Sequence, residues 1–134
     1  MKDPAEVCRG LLRKARQDRI ALDALLPLQA FDTACFHAQQ AVEKWLKAFL
    51  AYHGVPFPHT HNLVKLVEAC AGVDPAFSLL TPTVAPLTPF AVELRYDDAF
   101  WPPESVAKEA RSSAQEVLEF VLARLPADMR QFAE

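Results

Sequence analysis

The chain has 134 residues, of which 51% are hydrophobic and 23% charged. This composition is too apolar and too weakly charged for an intrinsically disordered protein, and the length fits one folded domain covering residues 1–134. The formal net charge of −3 excludes a general electrostatic attraction to nucleic acid or to anionic membranes. Any phosphate-binding patch must therefore be local.

The three cysteines, Cys8, Cys35 and Cys70, are widely spaced and form no Cys-x-x-Cys pair. This pattern predicts neither a disulfide framework nor a zinc knuckle. Each cysteine lies among apolar residues in a helical pattern, which indicates buried, reduced thiols and a cytoplasmic protein. We expect no signal peptide or membrane anchor, because no apolar run approaches the roughly 18 residues that a membrane span needs.

The first predicted helix spans residues 4–26, with Asp3 as its N-cap and Pro4 at the first helical position. Asp18 falls within the apolar side of this helix. Burying an ionised carboxylate at this position without a partner would reduce the stability of the fold by on the order of several kcal/mol. We therefore expect Asp18 to form a structural polar pair with a basic residue from elsewhere in the chain. The candidates are Lys44, Lys47 and Arg95.

The second predicted helix spans residues 31–53 and has two distinct sides. One side is broadly apolar. The other carries a polar row at positions i, i+3, i+7 and i+10. Phe36 and Leu50 interrupt this polar side, which indicates a partner surface. The polar row consists of His37, Gln40, Lys44 and Lys47.

The rest of the chain predicts shorter helices and one further long helix. Asn62 is the expected N-cap of a helix over residues 63–71. Residues 75–94 permit helix, but Pro86 and Pro89 should kink or break it. Residues 97–103 predict a loop, 104–125 a long helix, and the tail from about 127 is expected to fray. No run alternates like a strand, so the predicted fold is all-α, an antiparallel up-and-down bundle of four or five helices.

Several kinds of active site can be excluded or disfavoured. The sequence His59-Thr60-His61 lacks the spacing of a helical metal site and has no cysteine or carboxylate beside it, so we expect neither a metal nor another cofactor. With only 3 glycines the chain has no phosphate-binding glycine loop. Cys35 and His37 cannot form a nucleophile pair, because residues two apart on a helix point about 200° apart.

The polar row allows two interpretations. Periodicity alone describes a solvated helix face with ordinary surface lysines. The buried position predicted for Asp18 and the charged stretch Arg95-Tyr96-Asp97-Asp98 favour a functional site instead. In that case Arg95 and Tyr96 join the polar row to bind a ligand or partner.

Four segments together resemble a known family. Residues 34–50 read ACFHAQQAVEKWLKAFL, in which the glutamine pair followed by Val-Glu-Lys is the most specific part. Three further segments support the resemblance and occur in the expected order along the chain. They are residues 15–18, the Pro-x-Thr-His-Asn-Leu sequence of residues 58–63, and Arg95-Tyr96-Asp97. These segments resemble HEPN domains, the higher eukaryotes and prokaryotes nucleotide-binding family, over nearly the whole chain. The resemblance implies a small all-α bundle, a homodimer, and a minimal nucleotidyltransferase partner in a toxin–antitoxin-like pair.

Some HEPN proteins are ribonucleases with an arginine, four to six residues and then a histidine. No histidine of this chain follows an arginine at that spacing. The preferred hypothesis is therefore a non-catalytic dimeric module that binds a nucleotidyltransferase or a nucleotide. It would use Lys44, Lys47 and Arg95 for phosphate, with hydrogen bonds from His37 and Gln40.

Three further hypotheses remain open. The first is a divergent endoribonuclease toxin acting on RNA, with His37 or His61 as acid or base and Arg95 holding phosphate. In the second, the polar row has a structural role and holds Asp18 and the bundle together. This role is compatible with the binding of a partner or nucleotide. The third concerns dimerisation through exposed Phe36 and Leu50 and through residues 101–103.

Overall fold

The computed structural model describes residues 2–94 and 96–134. Within these ranges the chain forms six α-helices and three short 3-10 helices and no strand, which confirms the all-α prediction. None of the described helices combines the length and apolar character needed to cross a bilayer. The α-helices are α1 (Pro4–Leu25), α2 (Phe31–Tyr52), α3 (Leu63–Ala71), α4 (Thr81–Val84), α5 (Glu104–Leu122) and α6 (Arg130–Ala133). The 3-10 helices are Pro75–Leu80, Ala85–Phe90 and Ala127–Met129.

The two long N-terminal helices form the most extensive helix pair of the bundle. The Asp3 side chain caps α1 by accepting a hydrogen bond from the Ala5 amide at 3.3 Å. A short connection of residues 26–30 reverses the chain, so that α1 and α2 lie antiparallel. Just after α2, Gly54 has a φ of 67°, a left-handed conformation that glycine adopts without a Cβ clash.

Prolines interrupt the region between α3 and α5, as the sequence predicts. Residues 75–90 alternate between 3-10 and α geometry, with Pro89 inside the second 3-10 helix. Each proline lacks the amide proton that a continuous α-helix needs. This segment also fixes the start of α3, because the Leu63 amide donates a hydrogen bond to Thr88 Oγ1 at 3.1 Å.

The core surrounds α2, which packs against α1, α3, α5 and the second 3-10 helix. Trp45, Phe49 and Phe77 are its largest buried side chains, and the rings of Phe49 and Phe77 lie 4.4 Å apart. Leu50 is completely buried, so its expected place on an exposed partner surface is wrong. The reason is that other helices cover α2 on several sides, whereas the sequence pattern predicted one apolar side and one polar, exposed side. Phe36 is half-buried.

The C-terminal segment, for which the sequence predicted a frayed tail, is helical over Ala127–Met129 and Arg130–Ala133. The long α5 ends at Leu122, three residues before the predicted end, and the chain then turns back. The following short helices bury Met129 and Ala133, and α6 packs against α1. These apolar side chains are too few to produce a recognisable helical period, yet their burial is enough to fix the segment.

Met129→Ala should lower the free energy of unfolding by about 2 kcal/mol, because it removes a buried side chain and leaves a cavity in the core. Gln131→Ala is the matched control, since Gln131 lies two residues away and is exposed. It should change stability by less than about 0.5 kcal/mol. Urea unfolding of the two variants measures the difference, and equal midpoints would show that the segment contributes nothing to stability.

Candidate functional site

Asp18 on α1 faces the polar row of α2 and is only 8% exposed. His37 Nδ1 donates a hydrogen bond to Asp18 Oδ1 at 2.8 Å, and Lys44 Nζ forms an ion pair with Asp18 Oδ2. His37 and Lys44 are seven residues apart, so they lie on one face of α2 about two turns from each other. The cation expected for Asp18 is therefore Lys44.

A second buried carboxylate lies on α2 itself. Glu43 is 5% exposed, and both of its oxygens accept hydrogen bonds. His61 Nδ1 lies 2.8 Å and Gln39 Nε2 3.2 Å from Glu43 Oε1. Lys47 Nζ lies 3.0 Å from Glu43 Oε2, one helical turn along α2. Glu43 thus joins α2 to the loop that precedes α3.

Gln39 extends this second group into a continuous hydrogen-bond network. Its side chain is completely buried. Gln39 Nε2 donates to the backbone carbonyl of His61 at 3.2 Å as well as to Glu43, and Gln39 Oε1 accepts from Gln40 Nε2 at 2.7 Å. A buried polar network in which the members are satisfied fixes the side chains that compose it. Gln40 is therefore held through Gln39.

The environment of Glu43 changes its acidity in two opposing ways. Burial by itself would raise the pKa of Glu43, but hydrogen bonds from His61, Lys47 and Gln39 and the charge of Lys47 outweigh it. The net result is a pKa below the usual value, so Glu43 is ionised at neutral pH.

Part of each group remains accessible. The side chain of His61 is 58% exposed, those of Lys44 and His37 are 26% and 25% exposed, and that of Lys47 is 14% exposed. Both imidazoles use Nδ1 for their carboxylate, which leaves Nε2 as the nitrogen that can accept a proton. The charges of the two lysines balance those of the two carboxylates. This surface therefore offers directed hydrogen bonds rather than uncompensated positive charge.

Tyr96 and Arg95 are the remaining predicted site residues. Tyr96 is 80% exposed and makes no hydrogen bond to the polar row within the described residues. Arg95 lies outside the described residues.

Sequence reasoning missed Gln39 and Glu43. Their signal was present, since both are polar residues next to the apolar side of α2 and stand four positions apart. A buried carboxylate requires hydrogen-bond donors, and this requirement, which predicts a partner for Asp18, predicts partners for Glu43 as well.

The cysteines are buried and remain protonated at neutral pH. Desolvation raises the pKa of Cys35 to about 12, with a further contribution from Asp32. Burial likewise raises the pKa of Cys8 to about 11 and that of Cys70 to about 12. A thiol with so high a pKa is a poor nucleophile. Among the described residues, no group of three or more histidines, cysteines and carboxylates could hold a metal ion.

Most of the chain matches one known family. The model of the HEPN domain matches residues 8–125. The chain belongs to the HEPN family. The matched range includes Asp18, the whole polar row and both buried carboxylate groups. A comparison with curated proteins gives no significant match.

Solved structures share this HEPN fold. TT1696 from Thermus thermophilus is 27% identical, with a TM-score of 0.78, over 88% of this chain and 98% of the other. ST0689, described as an archaeal HEPN homologue, is 21% identical with a TM-score of 0.71, over 92% of this chain and 98% of the other. The likeness to ST0689 concerns the fold alone.

Glu43→Gln should reduce the free energy of unfolding at neutral pH by about 1–3 kcal/mol, because three donors lose an ionised acceptor. The folded pKa of Glu43 lies below the ordinary value of 4.5. Its contribution is therefore complete above the unfolded pKa and is lost as the pH falls through the folded pKa. The stability difference between wild type and Glu43→Gln should narrow over that range.

Urea unfolding in a pH series from about 7 to about 3 measures this difference. Glu68→Gln provides the control, because Glu68 is exposed on α3. It should change stability little throughout the series. A Glu43→Gln penalty that stayed constant down to the lowest pH would contradict the assignment.

Proposed function

We propose that this HEPN protein is a non-catalytic module of a toxin–antitoxin-like pair, which binds a minimal nucleotidyltransferase, a nucleotide, or both through the polar surface of α2. One observation carries the proposal. His37, Lys44, Lys47 and His61 are each held by a buried carboxylate while part of the side chain stays exposed. Groups fixed in this way lose little conformational freedom when a partner binds.

The charge balance of this surface favours a protein partner over a free nucleotide. Lys44 and Lys47 are both compensated by carboxylates, so a phosphate would have to compete with Asp18 and Glu43 for them. A folded partner can instead use the exposed hydrogen-bonding edges. Arg95 and Tyr96 belong to this proposal as additional contacts.

A homodimer in the cytoplasm completes the proposal. Trp101 is 72% and Tyr96 80% exposed, and large aromatic side chains of this kind are common interface anchors. Leu50 no longer supports a dimer, because it is buried. The three free cysteines are compatible with a reducing compartment.

Affinity capture of the tagged protein from its native host tests the proposal. Mass spectrometry of the eluate should identify a small nucleotidyltransferase in stoichiometric amount, and light scattering should show two copies of this chain. Gln40→Arg places a bulky charge within the α2 polar surface and should abolish capture. Gln115→Arg is the matched control on α5 and should retain it. A monomeric protein that recovers no nucleotidyltransferase would contradict the proposal.

A second candidate function, a divergent endoribonuclease acting on RNA, is favoured by a specific observation. His37 and His61 each donate from Nδ1 to a buried carboxylate at 2.8 Å. This arrangement orients an imidazole so that Nε2 can act as a general base. Two such pairs could supply the base and the acid of phosphodiester cleavage.

Incubation of purified protein with RNA decides between the two candidates. An endoribonuclease should lose cleavage in His37→Ala and in His61→Ala. His59→Ala serves as the control, because His59 is exposed in the same loop and makes no hydrogen bond within the described residues. Under the preferred proposal wild-type protein leaves RNA intact, whereas cleavage that requires His37 and His61 would replace it with the second candidate.

A further inference from the structure

Positive charge is concentrated on the first helix, although the whole chain is acidic. Arginines recur along α1 at intervals of three or four residues, and the neighbouring Lys2 and Lys14 add to the local charge. A local excess of this kind can attract an anion even when the net charge of the chain is −3. The arginines are Arg9, Arg13, Arg16 and Arg19.

These four arginines differ from the described arginines of the C-terminal part. Those later arginines each pair with a carboxylate: Arg111 with Asp23 at 2.7 Å, Arg124 with Asp74 at 3.0 Å, and Arg130 with Glu134 at 2.9 Å. By contrast, the four arginines of α1 have no carboxylate within ion-pair distance anywhere in the described ranges, 2–94 and 96–134. Their guanidinium groups remain available to an external anion.

The C-terminal helix orients two of these arginines. Phe132 lies on α6, which packs against α1, and its side chain is partly buried. The guanidinium carbon of Arg13 lies 4.8 Å from the centre of the Phe132 ring, and that of Arg9 lies 6.0 Å away. A guanidinium placed over an aromatic ring keeps its N–H edges free for a planar or bidentate acceptor.

A shallow groove of about 350 Å³ adjoins this ring. It is lined by Arg13, Arg16 and Gln17 of α1 and by Gln131 and Phe132 of α6, with no carboxylate among them. Along α1, Arg9 and Arg13 are separated by about 6 Å, and Arg13 and Arg16 by about 4.5 Å. The backbone positions of the three arginines therefore span about 10 Å of the helix axis, and their side chains can reach neighbouring phosphates of one strand.

This groove is separate from the candidate site on α2. Asp18 and Arg9 are nine residues apart on α1, which places them on opposite sides of the helix. Asp18 faces α2, whereas Arg9, Arg13 and Arg16 follow the side next to α6.

We propose that the groove between α1 and α6 binds the phosphodiester backbone of a single-stranded nucleic acid through Arg9, Arg13 and Arg16. Interfaces with nucleic acid are more polar and much more positively charged than interfaces between proteins. The aromatic ring lining this groove is covered by Arg13 and offers no free apolar anchor. The composition of the groove therefore favours a phosphate backbone over an acidic protein segment.

Fluorescence anisotropy with a labelled single-stranded RNA, measured at several potassium chloride concentrations, tests this proposal. For single strands the slope of log K against log salt is about −0.7 per phosphate contact, so three contacts give about −2. The double variant Arg13→Gln with Arg16→Gln should bind at least about tenfold more weakly, and its slope should be smaller by about 1.4.

The control variant combines Lys108→Gln with Arg111→Gln, two cations of α5 that are already paired with carboxylates. This control removes as much positive charge as the groove variant does, and it should bind RNA like the wild type. This proposal does not rest on the α2 site. Circular dichroism verifies that each variant is folded.

Three results would overturn the proposal. The first is that the wild type shows no salt-dependent binding of RNA. The second is that the groove variant and the α5 control lose affinity equally, which would indicate a net-charge effect alone. The third is that polyglutamate of matched charge binds the groove as tightly as RNA does, which would indicate an acidic protein as the ligand.

Discussion

The burial of two carboxylates against α2 determines how the N-terminal half of the protein is arranged. Asp18 comes from α1 and Glu43 from α2, and both are less than a tenth exposed. Removing the partner of a buried charge typically costs about 3–5 kcal/mol, so the donors must remain in place. Because those donors lie on α2 and on the loop before α3, the two carboxylates fix α1, α2 and the start of α3 relative to one another.

This arrangement allows a structural role and the proposed binding role to coexist on one surface. A well-packed apolar cluster would often stabilise a protein as much as buried ion pairs do, so stability alone does not account for two such groups. Their distinctive effect is to hold His37, Lys44, Lys47 and His61 in defined orientations. The same hydrogen bonds that satisfy the carboxylates thus hold the outer edges of these side chains in place for the proposed partner.

The sequence was sufficient where local rules decide the outcome. Caps such as Asp3 and the backbone effect of Pro89 act within a few residues, and the need of Asp18 for a cation follows from its place on the helix. Other features depend on tertiary packing. The burial of Leu50 requires knowledge of which helices surround α2, and the choice of Lys44 over Lys47 requires the register of α1 against α2. No local pattern encodes either of these.

The C-terminal segment shows how such a tertiary contact can create a surface. Its few apolar residues dock on the bundle beside α1, and this docking places Phe132 beneath Arg9 and Arg13. Without that contact the arginines would be ordinary solvated side chains, each free to adopt many rotamers. Because α1 uses one side for the buried pair of Asp18 and the opposite side for the arginines, the proposed ligand of the groove and the proposed partner of α2 would not compete for the same surface. Each surface can therefore be altered while the other stays intact.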